Sequence, residues 1–271
     1  MGTSTSNRGP NGHTPLVPSW LEEDNTNQSA GVDSQPGVSL PIPQNADANR
    51  FRGPRASFTY YANSSGRDVG SAKRGISNYV SRSLGGSRSA LQHLGSARSS
   101  TAKLHGVLNI LSSGDGVREV ARMLALDNLE RLPAKQFFIR IAEFICPDGG
   151  PNDEGLARSA YFDVISEPEL AGKTTEELTK EDCESVLKNM MSRVITEKIE
   201  NDVARQILFL PGTVDEVSEM EDTIRQMIRQ DVADAMTEAR ASNQEITSKF
   251  AQEATDKIYQ STFALLEGLG D

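Results

Sequence analysis

From residue 68 onwards, apolar side chains recur every three or four positions, the spacing of one face of an α-helix. Ile76, Val80 and Leu84 follow at intervals of four, and Leu91, Leu94, Leu104, Val107, Leu108 and Leu111 continue the pattern beyond a Gly85-Gly86 break. Two helices are predicted here. Gly75, Gly95 and many Ala and Ser residues thin their side-chain layer, which permits close backbone approach where helices cross. An interior glycine costs a helix about 1 kcal/mol, so these helices require tertiary support. Farther on, Asp115 is placed to cap a helix carrying Val117, Val120, Ala121 and Leu124, and Pro133 opens AKQFFIRIAEFI, which stops at Cys146-Pro147. The turn-rich CPDGGPNDEGLAR offers Asn152 or Asp153 as the cap of a helix bearing Leu156, Tyr161, Phe162 and Ile165. A long helix over about 180–209 presents one ridge, formed by Val186, Leu187, Met190, Met191, Val194, Ile195, Ile199, Val203 and Ile207 and closed by Pro211-Gly212. Thr213 and Glu216 then form a capping box for another helical stretch, with a break expected near Ser242-Asn243. No stretch sustains a period of two with β-branched residues, so the predicted class is all-α.

The N-terminal part does not follow this pattern. Gly, Pro, Ser, Asn and Thr make up more than half of the first fifty residues, and six of the chain's 12 prolines fall there. Such a stretch has too little apolar surface to offset the ordering of its backbone. The predicted architecture is a multi-helix body preceded by a long disordered or extended N-terminal tail. Residues 1–65 are read as the flexible tail, 66–112 as a basic, small-residue helical segment, and 113–271 as an acidic helical domain. Within the tail, Pro15, Leu16, Val17, Pro18, Trp20 and Leu21 cluster apolar side chains between prolines that favour extended geometry, the composition of a short segment that docks in a groove. Two readings of Trp20 stand together: docking on a partner, and packing on the chain's own body.

Charge divides the chain further. Residues 50–105 hold ten Lys or Arg against the single acid Asp68, while the whole chain has a net charge of -10. Either the basic segment meets an anionic partner or it docks on the acidic half of the same chain. The first alternative is a nucleic-acid-binding adaptor acting through residues 50–105, with Arg50, Arg52, Arg55, Arg74 and Arg82 as candidate contacts and Phe51, Phe58, Tyr60 and Tyr61 available for stacking.

Enzymatic constellations are not found in the sequence. His13, His93 and His105 lack metal-ligand spacing, and no GxxxxGK[ST] pattern occurs. Cys146 and Cys183 stand alone, as reduced thiols packed as small hydrophobes do. Carboxylates along 174–260 read as a solvated face. The expectation is a protein with no catalytic residues, no metal and no cofactor. No apolar run reaches membrane-spanning length and the N-terminus lacks the pattern of a secretory signal, so a cytoplasmic protein without a membrane partner is expected.

The opening MGTSTS has glycine at position 2, which allows removal of the initiator methionine and leaves a free Gly2 amine. It also matches the loose N-myristoylation pattern through Gly2 and Ser6, although one acyl chain gives only marginal membrane binding and Glu22-Glu23-Asp24 oppose anionic lipid. An α-amino pKa of about 7.7 to 8.0 leaves roughly a tenth of the amine as free base near neutral pH, and glycine has no side chain to obstruct a narrow channel.

The order of MGTSTS, GPNG, TPLVPSWL, RFRGPRASFTYYANSSGRDVGSAKRGISNYVSRSLGGSR and FICPDGGPNDEGLARSAYFDVI resembles the QatB family of the bacterial Qat anti-phage defence system, through to about residue 235. The resemblance implies an operon that also encodes an ATPase, a QueC-like enzyme similar to 7-cyano-7-deazaguanine synthase, and a TatD-like nuclease. Enzymes of the synthase type activate the carboxylate of a 7-deazaguanine as an adenylate, with ammonia the usual nucleophile. On that analogy Gly2 becomes the modification acceptor, Thr3, Ser4, Thr5 and Ser6 the segment that threads the partner's channel, and Pro15 to Leu21 the outer docking element.

Overall fold

The first helix, α1 (Arg52–Asn63), has Pro54 in its opening turn, where the missing N–H leaves no helical bond unmade. The computed structural model describes residues 49–112, 116–126, 128–147, 152–204, 207, 213–241 and 251–270. Helix α2 (Val69–Asn78) starts at Asp68, whose side chain accepts from the Ser71 N–H at 3.0 Å. Between them, Ser65 and Gly66 turn the chain with φ of 50° and 76°. A Cβ on Gly66 would stand 2.9 Å from Met220 Cγ, so both backbone and space call for glycine. The two helices cross closely, since a Cβ on Gly75 would lie 3.1 Å from the Phe58 ring. Close approach of this kind is what the small residues of the segment predict.

Helix α2 runs directly into a single π turn, Tyr79–Ser83. After Gly85 and Gly86, both with positive φ, come α3 (Ser87–Gln92) and α4 (Ser96–Leu111). The segment read as two helices therefore contains three, because Gly95, at φ 52°, sets a new helix start just after Leu94. Next are α5 (Gly116–Leu124), α6 (Ala134–Ile145) and α7 (Asn152–Ile165). Two short 3₁₀ turns, Pro168–Leu170 and Thr175–Glu177, lead to α8 (Lys180–Ile199), which ends in a second π turn, Glu200–Ala204. The last helices are α9 (Val214–Ala241) and α10 (Ala251–Gly268).

Pro133 and Cys146 bound α6 as its sequence predicts. The capping box at α9 is present: Glu216 Oε2 accepts from the Thr213 N–H at 2.9 Å, and Thr213 Oγ1 accepts from the Glu216 N–H at 3.4 Å. Asp115, the side chains of Asn152 and Asp153, and the expected break at Ser242-Asn243 lie outside what is described. Among the described residues there are no strands, only one isolated bridge between Pro133 and Thr174, and the fold is all-α.

Helix α4 is the hub, in contact with α5, α6, α7, α8 and α10. Two polar pairs join it to α10: Thr101 Oγ1 with Tyr259 OH and His105 Nδ1 with Thr255 Oγ1, each at 2.9 Å. The predicted α8 ridge is buried from Val186 to Val203. One apolar cluster joins Phe58, Tyr61 and Ile76 of the first helices to Tyr259 and Phe263 of the last. All described residues belong to a single unit, Ala46–Asp271. The basic segment and the acidic helices thus share a core. Helix α1 lies within residues 1–65, read from composition as tail, yet it buries Phe58, Tyr61 and Ala62, so ordered structure begins earlier than that boundary.

Candidate functional site

The N-terminal edge of the described chain is built around an aromatic ring. Phe51 caps α1 and stacks on Tyr79 at 6.5 Å between ring centroids. The Arg50 guanidinium lies 4.8 Å from the Phe51 centroid and that of Arg55 lies 5.7 Å away, two cation–π contacts on one ring. Ser83 Oγ donates to the Arg50 carbonyl at 2.7 Å, tying this edge to the π turn. From the same turn, Arg82 Nη1 approaches to 3.6 Å of the position a Cβ on Gly53 would occupy. Four arginines, Arg50, Arg52, Arg55 and Arg82, are therefore gathered around the first turn of α1.

Beneath them, Tyr79 donates to Asp202 Oδ2 at 2.6 Å, and Lys198 pairs with the same oxygen at 3.5 Å. Burial drives the Tyr79 phenol well above its ordinary pKa, and the Asp202 charge adds to the rise, so this O–H remains a donor. Tyr79 and Asp202 lie on the two π turns, so the hydrogen bond joins one widened turn to the other. Turns of this kind are often found at functional sites.

The predicted site residues fall into three groups. Gly2, Thr3, Ser4, Thr5, Ser6, Pro15, Leu16, Val17, Pro18, Trp20 and Leu21 lie outside the described residues. Arg50, Arg52, Arg55 and Arg82 are brought together. Arg74 is separate from them: it donates to Ser71 Oγ at 2.7 Å and stands 3.8 Å from Asp68, within its own segment. Of the segment's other cations, Arg98 binds Asp256 of α10 at 2.8 Å. The basic segment is further tied to α10 at Glu267, whose carbonyl accepts from Ser77 Oγ at 2.6 Å and whose carboxylate accepts from the Ser87 N–H at 3.2 Å. Sequence reasoning did not find the Tyr79–Asp202 pair. Its signal is the strict four-residue spacing of Ile76, Val80, Leu84 and of Ile199, Val203, Ile207, wider than an α-helical turn.

Both cysteines are buried. Burial raises the Cys146 and Cys183 thiols above their ordinary pKa, which disfavours the nucleophilic thiolate. Among the described residues no group of three or more His, Cys, Asp or Glu side chains is placed to hold a metal ion, and no helix is long and apolar enough to cross a membrane. A groove of about 260 Å³ runs between α4, α5, α6 and the start of α10, edged by Lys103, Met123 and Phe144. A second, more polar hollow of about 420 Å³ is bordered by Arg118, Glu130, Glu176 and Lys180.

No curated protein and no solved structure matches the chain. A family model described as Qat anti-phage system associated protein QatB matches residues 85–266, from the Gly85-Gly86 turn to near the end of α10. That span covers most of the helical body, and the chain belongs to the QatB family of proteins associated with the Qat anti-phage system.

Proposed function

We propose that this component of an anti-phage defence system is a protein substrate and scaffold, whose N-terminal glycine is presented to the QueC-like, 7-cyano-7-deazaguanine-synthase-like enzyme of the same operon. The observation that carries the reading is Gly2 at the start of a Gly-, Ser- and Pro-rich stretch, in a chain of this family. The partner joins a 7-deazaguanine carboxylate to AMP, with pyrophosphate released from ATP. The Gly2 amine, as free base, attacks the acyl carbon. AMP leaves with the bonding electrons, the amine loses a proton, and an amide links the deazapurine to the protein. Glycine suits this role because no side chain hinders the attack, and because binding the tail turns a bimolecular encounter into a positioned one.

Reach supports the reading as well. From Gly2 to Asn49 the chain can extend on the order of 150 Å, at about 3.3 Å per residue. Thr3 to Ser6 are narrow enough to follow Gly2 into a channel, and Pro15 to Leu21 supply an apolar anchor outside it. The operon ATPase and the TatD-like nuclease are further partners in this scheme, and no catalytic residue is assigned to the chain, which supplies only the acceptor amine. Intact mass spectrometry after co-expression with the QueC-like enzyme is the test. An added mass of one deazapurine acyl group, located on the N-terminal peptide, is expected. An unmodified Gly2 amine in the presence of active partner would overturn the proposal.

A further inference from the structure

The exposed residues of α1 are Arg52, Arg55, Ala56, Thr59, Tyr60 and Asn63. Their spacings of three and four place them on a single stripe of the helix. α1 contains no acidic residue, and Tyr60, 68% exposed, leaves a ring face open to solvent beside the arginines. Arg82 and Arg50 join Arg52 and Arg55 at one end of the stripe. The Phe51 ring holds two of these guanidiniums in place without neutralising them. The carboxylates that reach α1 and α2 lie away from this stripe, Glu216 beside Ser65 and Arg67 at the turn between the helices and Asp231 beside Lys73 of α2. Asp202 accepts from Tyr79 and pairs with Lys198, Asp68 accepts from Ser71, and Glu216 accepts from Thr213.

We propose that this face of α1 is a docking surface for single-stranded nucleic acid, with phosphates on Arg52, Arg55 and Arg82 and a base stacked on Tyr60. Guanidiniums in a row with an exposed aromatic are the two elements that single-strand surfaces combine, electrostatic tracking of the backbone and sequence-tolerant stacking. A duplex keeps its base faces covered and would leave Tyr60 without a role. Helix α1 is about 18 Å long, enough for a few nucleotides. The surface is independent of Gly2, so the two proposals stand or fall separately.

The test is fluorescence anisotropy of the full chain with a labelled DNA strand of about 20 nucleotides, at about 50 mM and about 200 mM salt. Affinity should fall on the order of twentyfold or more between the two conditions if three phosphates are neutralised. Arg52→Glu with Arg55→Glu should abolish binding. Tyr60→Ala should weaken it about tenfold and leave the salt slope unchanged, because stacking releases no counterions. These three side chains are exposed, so the helical circular dichroism signal should not change. Absence of binding at about 50 mM salt would overturn the proposal, as would binding indifferent to the α1 variants or a preference for duplex of the same sequence. Loss of binding to the QueC-like enzyme in the α1 variants, with the strand never bound, would assign the face to an acidic protein surface instead.

Discussion

His105 projects from α4 into the core, where burial lowers its pKa to about 4 and its Nδ1 meets Thr255. In the unfolded chain the ring titrates at its ordinary 6.5. As pH falls below that value the unfolded state takes up a proton that the folded state refuses. Stability is therefore complete above pH 6.5 and is lost down to pH 4, by an amount on the order of 3 kcal/mol. Melting temperature should fall steeply across this interval, and His105→Gln, which can retain a bond to Thr255, should flatten the profile. Asp231 acts in the opposite direction. Burial first, then repulsion from Asp234, raises its carboxyl to about 6, against an opposing pull from Lys73, and its Oδ2 has no hydrogen-bond partner. Its ionised form is disfavoured in the fold, so stability drops as pH rises from about 4 through about 6. Asp231→Asn should raise the melting temperature at pH near 7.5 and have little effect near pH 4, measured by scanning calorimetry.

At the scale of single elements, caps determine where α8 begins. Thr179 accepts from the Asp182 N–H at 3.2 Å while Asp182 accepts from the Thr179 N–H at 3.0 Å and from Lys173 at 2.6 Å. Thr179→Ala should cost about 1 kcal/mol in urea unfolding, shifting the midpoint without altering the slope. Most helices were legible in the sequence because each buries one periodic face: the α8 ridge, the Pro133 and Cys146-Pro147 limits of α6 and the Thr213–Glu216 box all follow from local chemistry. Helix α1 was hidden, since Phe58, Tyr61 and Ala62 are few and sit among Pro, Gly and Arg that resemble tail. The π turns were hidden too. A four-residue repeat drifts by about 40° per step on a regular helix, and a widened turn absorbs that drift. Individual arginines of the basic edge could be named from sequence. That Arg82 comes to Gly53 at the start of α1 depends on the fold of α1 against α2, which no local pattern states.

Across the whole molecule, one core supports a basic edge on an acidic body, and the proposed chemistry sits in the sequence that precedes it. Trp20 provides the test of how that sequence is used. Trp20→Ala should weaken the complex with the QueC-like enzyme about thirtyfold, the scale of a buried aromatic anchor, and slow Gly2 modification, with the melting temperature of the body unchanged. A lower melting temperature with partner affinity intact would assign Trp20 to packing on the chain itself. The π turns carry a different kind of consequence, for tolerance of chain length. Each is a helix that has accepted one residue more than a regular turn holds. Deleting Ser81 from Tyr79–Ser83 should return that turn to α geometry and keep Ile76 and Leu84 in the core, giving a protein that still melts cooperatively. The same deletion at Ser99 in α4 would rotate everything after it by about 100°, turning Leu104, Val107 and Leu108 out to water, and should prevent folding. A molecule that a single lost codon would ordinarily ruin thus holds, in each of these two turns, a spare residue.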